Sequence, residues 1–150
     1  ALPICHVSVE DAANVIAGYT VTNDVSIRDW QMRSPTATLG KSFDTHGPVG
    51  PWIVTPDEVG NPHDLKISTV VDGDVRQSGN TSEMIFNIFE QISYLSTVMT
   101  LEPGDLLATG PPAGVGALAE PQNFLKVGEV VRIEIEKIGS IENRVIDEPV

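Results

Sequence analysis

Alternation of apolar and polar side chains predicts the clearest strand of the chain. Over 130–136 the apolar residues are Val and Ile, and the residues between them are Arg or Glu. Successive side chains of a strand point to opposite faces, so this segment reads as a strand with one face buried and one face in solvent. Segments 65–71 and 74–77 flank Asp72-Gly73, a dipeptide typical of tight turns, and therefore predict a β-hairpin.

One main helix is predicted near 88–99 from apolar residues spaced three and four apart. Its expected apolar face consists of Ile88, Ile92, Leu95 and Met99. Asn87 is the expected N-cap, and Glu90 stands three residues later as its capping-box partner. The ordinary role of such a helix is to pack on the core.

The remaining elements are expected to be short, because 13 glycines and 11 prolines are spread along the chain. A short helix is predicted at 8–14, capped by Ser8, and a turn or short helix at 26–32. Segment 36–43 is predicted to be a loop or a short strand. Further strands are predicted at 15–22, 52–54, 106–109 and 141–145. Together these elements indicate a β-rich α+β fold.

The composition limits the classes of partner. A net charge of −12, from 21 acidic and 9 basic residues, argues against binding to nucleic acid or to an anionic membrane. The acidity makes cation binding plausible, although acidic residues most often serve only to keep a surface soluble. The single cysteine, Cys5, cannot form an internal disulfide. We therefore expect a reducing compartment, the cytoplasm first and the mitochondrial matrix as the alternative.

Asp24 and Lys41 are the first candidates for chemistry. Aspartate is a poor strand former, so Asp24 at the end of a predicted strand requires a reason. Metal ligation by a hard oxygen is one reason. Capping of the next turn, or pairing with Arg28, is the commoner one. Lys41 lies close to apolar residues and could stabilise developing negative charge, whereas a solvated lysine is the ordinary case.

Arg28 and Gln31 are candidates for holding a substrate. The planar fork of Arg28 suits a carboxylate, with a salt bridge to a neighbouring acid as the alternative. Gln31 could donate a hydrogen bond to a substrate oxygen or lie on the surface. The glycine–proline loop 110–116 could bring backbone N–H groups to an anion, or merely connect two elements. His46 and His63 are possible acid–base groups, but lone histidines are more often structural.

Four blocks of the sequence, in this order, resemble the fumarylacetoacetate hydrolase superfamily. They are AGYTVTNDVSIRDWQ at 17–31, GKSFD at 40–44, QSGNTSEMIF at 77–86 and PGDLLATGPPAGVG at 103–116. The run at 29–33 is most similar to the fumarylacetoacetate hydrolase domain-containing protein 2 subgroup. The blocks are distributed in family order between residues 17 and 116, so their joint specificity is high.

The resemblance implies a mixed β-roll or barrel, a homodimer, and Mg²⁺ or Mn²⁺ in the site. It implies cleavage, decarboxylation or isomerisation of 1,3-dicarbonyl and 2-oxo acids. Asp24 matches the family's metal-ligand aspartate, and Lys41 matches its active-site lysine. Arg28 and Gln31 match positions that face substrate, and Gly110 begins a substrate-binding loop.

Two departures from the family pattern affect the expected function. The family's Glu-x-Glu metal ligands precede the helix before Asp24, and this sequence has no such pair upstream. Residues 1–150 are therefore expected to be the C-terminal portion of the catalytic domain. Pro111 replaces a threonine that many members use, and proline offers neither a hydroxyl nor an N–H. The expected function is a metal-dependent hydrolase or C–C lyase. The alternatives are a dienedioate-type isomerase and an inactive binding or oligomerisation fragment.

Overall fold

The structure is a computed structural model that describes residues 3–148. Its strands are β1 Tyr19–Thr22, β2 Val49–Val54, β3 Lys66–Val71, β4 Asp74–Asn80, β5 Val130–Ile135 and β6 Gly139–Arg144. Its α-helices are α1 Arg28–Gln31, α2 Pro56–Val59 and α3 Ile88–Val98. Short 3₁₀ helices lie at Ala12–Val15, Thr38–Lys41, Thr81–Glu83 and Gly116–Leu118. This content confirms the β-rich α+β fold.

The strands form two antiparallel sheets. One sheet has the order β4-β3-β5-β6, and the other pairs β1 with β2. Over residues 3–148 neither sheet closes on itself, so this part of the chain shows open sheets rather than a complete barrel. No helix in the same range has the length and apolar character that a bilayer crossing requires.

Strand β5 confirms the alternating pattern. Val131 and Ile133 are buried, whereas Arg132 and Glu134 between them are exposed. The buried side chains belong to a core cluster to which both sheets contribute. Its members are Val21, Val54, Val59, Leu65, Val71, Val131, Ile133 and Ile138. The core therefore fixes β1, whose end carries the candidate site, against the larger sheet.

The predicted hairpin is also confirmed. Asp72 and Gly73 both have positive φ, 47° and 90°, as the two central residues of a type I′ turn require. The Asp72 Oδ1 atom accepts a hydrogen bond of 2.8 Å from the backbone N–H of Val130. The turn between β3 and β4 is thus tied to the start of β5.

Helix α3 begins with the expected capping box. The Asn87 side chain accepts from the N–H of Glu90, and the Glu90 side chain accepts from the N–H of Asn87. The expected apolar face was wrong at its last member, because Met99 follows the helix and is half exposed. Ser96 is buried instead, and its Oγ atom accepts a hydrogen bond of 3.0 Å from Val7 N–H.

Several short elements differ from the predictions. Segment 106–109 is not a strand, because it has no neighbouring strand to pair with and its apolar side chains are exposed. Segment 8–14 is mostly turn, with a 3₁₀ helix only at Ala12–Val15, although Ser8 Oγ does accept from Asp11 N–H. Strand β1 begins at Tyr19, where pairing with Val54 begins. Segment 36–43 contains a 3₁₀ helix rather than a strand.

Candidate active site

Backbone hydrogen bonds hold segment 23–27 against segment 40–48. The N–H groups of Asn23, Val25 and Ile27 donate to the carbonyls of Pro48, His46 and Gly40, at 3.0, 3.1 and 2.8 Å. Every second residue of this extended segment is thereby fixed. The two parts of the sequence that carry the candidate aspartate and lysine are consequently brought side by side.

Asp24 and Lys41 form an ion pair at this junction. The Lys41 Nζ atom donates to Asp24 Oδ2, and also to the hydroxyl of Ser26 at 3.2 Å. The side chains of Lys41 and Asp24 remain 37% and 44% exposed. A pair this exposed contributes at most about 1 kcal/mol to stability, and solvent can reach it. The structure thus brings together two of the predicted site residues in a position open to a ligand.

Helix α1 carries the two predicted substrate-binding residues. Arg28 Nη1 donates a hydrogen bond of 2.6 Å to Gln31 Oε1, as their spacing of three residues on a helix allows. The alternative of a salt bridge to Arg28 is not seen within residues 3–148. Asp29 pairs there with Arg33, and Asp24 pairs with Lys41. The guanidinium of Arg28 therefore keeps donors for a further anion.

Gly40 sets the distance between α1 and Lys41. The residue is buried, and a Cβ atom added to it would lie 2.5–2.6 Å from the Cβ, Cα and N atoms of Gln31. Only a residue without a side chain permits this approach. The glycine of the 40–44 block is therefore explained by packing between the lysine segment and the helix that carries Arg28.

Aromatic contacts support the same arrangement. The rings of Trp30 and Phe43 meet edge to face with centroids 5.7 Å apart, and the Arg33 guanidinium lies 3.7 Å from the Trp30 ring centroid.

An open depression of about 440 Å³ lies beside α1. Its lining residues are Gln31, Met32, Arg33, Ser34, Pro35 and Ala37. Gln31 is thus shared between the depression and the hydrogen bond to Arg28.

Gly110 is the predicted site residue that the structure does not connect to the others. It is exposed, has a φ of 96°, and a Cβ added to it would meet nothing within 4 Å. Its loop is held on β4, where Gln77 Nε2 donates to the carbonyl of Pro112 at 3.0 Å. Gly114 lies so close to Arg76 that an added Cβ would be 2.1 Å from its carbonyl oxygen. A role for Gly110 in substrate binding remains a prediction.

The metal-binding potential of this region rests on one carboxylate. Among residues 3–148 there is no cluster of three or more His, Cys, Asp or Glu side chains that could hold a metal ion. Hard divalent cations take about six or more oxygen ligands. Asp24 offers one exposed carboxylate, and Lys41 already contacts one of its oxygens. These residues alone do not form a metal site.

His63 has a structural role. Its Nε2 atom accepts a hydrogen bond of 3.2 Å from Ile88 N–H at the first turn of α3, and its ring meets Phe89 edge to face at 4.7 Å. Burial lowers the pKa of His63 below its usual 6.5, although the charge of Glu90 acts in the opposite direction. The lowered pKa favours the neutral imidazole, which is the form whose Nε2 atom can accept this bond.

Ser26 is a candidate site residue that the sequence alone did not indicate. Its hydroxyl contacts Lys41 Nζ, yet a lone serine in a short polar segment is ordinarily read as a surface residue. The available signal was its spacing from Asp24. In an extended segment, residues two apart point to the same side, so Asp24 and Ser26 can face one lysine together.

Comparisons with known proteins agree with the resemblance. The sequence model described as "Fumarylacetoacetate (FAA) hydrolase C-terminal" matches residues 2–146. The mitochondrial oxaloacetate tautomerase Fahd2a of Rattus norvegicus is 48% identical over 142 residues, which are 94% of this chain and 45% of that protein. The chain thus spans about half the length of the curated relatives it matches.

Solved structures give the same result. The 2-hydroxyhepta-2,4-diene-1,7-dioate isomerase of Mycobacterium marinum is 43% identical with a TM-score of 0.86, and the match covers 97% of this chain and 54% of that one. The maleylpyruvate hydrolase of Sphingobium sp. SYK-6, solved with manganese (II) ion and pyruvate, is 34% identical with a TM-score of 0.84. That match covers 97% of this chain and 50% of the other. Both similarities extend over nearly the whole chain.

Proposed function

Because the chain belongs to the fumarylacetoacetate hydrolase family, a family of enzymes, we propose that the protein acts on small 2-oxo acids through an enol or enolate. The observation that carries the proposal is the junction of the Lys41 segment with α1. The Lys41 side chain at this junction is 37% exposed and Arg28 is partly exposed, in a chain whose net charge is −12. Cationic side chains on two segments in contact with each other, in so acidic a protein, favour a small anionic substrate.

The same groups suit the chemistry of a 2-oxo acid. Tautomerisation, double-bond shift, decarboxylation and C–C cleavage next to a carbonyl all develop negative charge on the 2-oxygen. A fixed ammonium group such as that of Lys41 stabilises this charge where it forms. Arg28 would bind the neighbouring carboxylate through its free donors, and its bond to Gln31 would fix the orientation of the guanidinium.

Three reactions are proposed in order. The first is keto–enol tautomerisation of an oxaloacetate-like diacid, which moves one proton between C3 and the 2-oxygen. The name and 48% identity of the rat relative support it. The second is hydrolytic C–C cleavage of an acylpyruvate, supported by the maleylpyruvate hydrolase structure that contains pyruvate. Isomerisation of a dienedioate remains the third, from the Mycobacterium relative.

A divalent cation, Mg²⁺ or Mn²⁺, belongs to the proposal as well. The support is the manganese-containing structure of the hydrolase relative. Asp24 would give one oxygen ligand, and no cluster of three or more ligating side chains completes the site among residues 3–148. We also propose that the protein is a homodimer, which light scattering would test. We propose a mitochondrial location in place of the cytoplasmic one, because the names of the curated relatives describe them as mitochondrial.

Turnover by the full-length protein tests the proposed function. Oxaloacetate enol, oxaloacetate and acylpyruvates are supplied separately, with Mg²⁺, with Mn²⁺ and with a chelator. Loss of enol absorbance without release of a product indicates tautomerisation. Release of pyruvate together with CO₂ indicates decarboxylation, and release of pyruvate together with a carboxylic acid but without CO₂ indicates hydrolysis. We expect cation-dependent turnover of at least one of these acids, lost in Lys41→Met. A folded protein that binds cation and turns over none of them would contradict the proposal and favour a non-catalytic module.

A further inference from the structure

We infer that Ser26 is a positioning residue that directs the ammonium group of Lys41 toward substrate. The inference rests on the proposed function for its catalytic meaning, whereas the contact itself can be measured without turnover. The reasoning starts from the three N–H donors of a lysine ammonium group, which are arranged tetrahedrally around Nζ. Two donors with fixed partners determine the direction of the third.

Both partners are present in the structure. Lys41 Nζ donates to the Asp24 carboxylate and, at 3.2 Å, to the Ser26 hydroxyl. The third donor has no partner among the described residues. The side chain of Lys41 is 37% exposed, so this donor can reach a bound ligand. Its direction is the one in which a substrate oxygen would receive a hydrogen bond from the charged group.

The hydroxyl of Ser26 is itself oriented. Its Oγ atom donates to the backbone carbonyl of Asp24 at 3.4 Å, so the proton is used on that side and the lone pairs remain for Lys41. A hydroxyl that could rotate freely would present its proton to the ammonium group in part of its orientations. Because an ammonium group has donors only, the Ser26 oxygen accepts from Lys41, and the contact with the Asp24 carbonyl gives the hydroxyl proton a direction away from Lys41.

The backbone on each side of this contact is fixed as well. Val25 N–H and Ile27 N–H, the neighbours of Ser26, donate to the carbonyls of His46 and Gly40. Gly40 immediately precedes Lys41, so the bond from Ile27 links the serine segment and the lysine segment directly. Such a frame holds the backbones of the Ser26 and Lys41 segments beside each other without help from a ligand.

The experiment compares Ser26→Ala, Ser26→Thr and the control Ser42→Ala in the full-length protein. Ser42 is exposed, and its hydroxyl donates at 2.7 Å to the carbonyl of Thr38, so its loss leaves the ammonium group of Lys41 untouched. The first measurement is the exchange rate of the Lys41 ammonium protons by ¹⁵N NMR. The resonance is assigned by its absence in Lys41→Met.

We expect exchange of the Lys41 ammonium protons to be at least about threefold faster in Ser26→Ala, because a hydrogen bond to a charged group is lost. Exchange should return toward the wild-type rate in Ser26→Thr, which keeps the hydroxyl, and stay at that rate in Ser42→Ala. The second measurement is steady-state kinetics. We expect kcat to fall about tenfold in Ser26→Ala with KM little changed, since the charge is misdirected at the moment it is needed.

Unchanged exchange in Ser26→Ala would overturn the inference whatever the activity. Faster exchange together with wild-type kcat would also overturn it, because the contact would exist without directing catalysis. A wild-type protein with slow, Ser26-dependent exchange and no turnover of any 2-oxo acid would support the positioning of Lys41 and reject the proposed function. The two failures are therefore distinguishable.

Discussion

Replacing Gly40 with alanine would place a methyl group where the structure has room for none. The new Cβ would lie 2.5–2.6 Å from three atoms of Gln31, and two of these, N and Cα, belong to the backbone of α1. A backbone cannot rotate away as a long side chain can. Either α1 or the 3₁₀ helix at Thr38–Lys41 must shift. The substitution thus tests whether this one close approach holds the two halves of the site together.

The magnitude follows from two opposing effects. Overpacking of this kind costs up to about 3 kcal/mol. Alanine also reduces the conformational freedom of the unfolded chain, which returns about 0.4–1 kcal/mol. Gly40 does not have a positive φ, so no backbone strain is added. The net expectation is a loss of about 2 kcal/mol in the free energy of unfolding. With a slope of about 2 kcal/mol per molar urea, the midpoint would fall by about 1 M.

Urea unfolding and steady-state kinetics, measured on the full-length protein, provide the assay. Gly47→Ala is the matched control, because a Cβ added there meets nothing within 4 Å and the residue is exposed without a positive φ. Its midpoint should equal or exceed that of the wild type. Gly40→Ala should also lower kcat/KM by at least about tenfold, because Arg28 moves relative to Lys41. Equal midpoints for Gly40→Ala and Gly47→Ala would refute the reasoning.

Two further predictions concern α3. The pKa of His63 is lower in the folded protein, so the unfolded chain binds more protons, and the free energy of unfolding should decrease as the pH falls below about 6.5. Urea midpoints at pH 7.5 and 5.5 check this. His63→Gln keeps an acceptor that does not titrate, so the midpoint of this variant should depend less on pH than that of the wild type. An equal pH dependence in the two proteins would contradict the assigned bond between His63 and Ile88 N–H. Ser96→Ala should cost about 1 kcal/mol, because Val7 N–H loses its acceptor. Ser93→Ala is the matched control, because Ser93 accepts from Ser96 with its backbone carbonyl and not with its hydroxyl. Equal stability of Ser96→Ala and Ser93→Ala would contradict the role of the Ser96 hydroxyl as acceptor for Val7 N–H.

Local sequence patterns were sufficient to predict the elements that depend only on neighbouring residues. Strand β5, the Asp72-Gly73 turn and the capping box of α3 all followed from side-chain periodicity or turn chemistry. The strand predicted at 106–109 is absent because a strand needs a neighbouring strand for its backbone hydrogen bonds, and a local sequence pattern does not show whether that neighbour exists. The prediction that Met99 belongs to the apolar face of α3 was wrong because side-chain periodicity does not show at which residue a helix ends.

The candidate site was only partly predictable for the same reason. On residue chemistry alone, Asp24 was a capping residue and Lys41 an ordinary solvated lysine. Their contact spans 17 positions of sequence, and it depends on the bonds of Val25 and Ile27 to the facing segment. The resemblance predicted that Asp24 and Lys41 belong to one site, but it did not indicate Ser26, whose contact depends on where its hydroxyl points.

The most direct test of the central claim, that the Lys41 segment and α1 form the 2-oxo acid site, is turnover of oxaloacetate enol by Lys41→Met in the full-length protein. Lys126→Met is the matched control, because Lys126 lies in an exposed segment and its side chain makes no ion pair within residues 3–148. We predict that Lys41→Met lowers kcat by at least about a hundredfold, as loss of a group that stabilises an oxyanion does, with the urea midpoint preserved. Lys126→Met should retain wild-type kcat. Equal turnover by Lys41→Met and Lys126→Met would contradict the account.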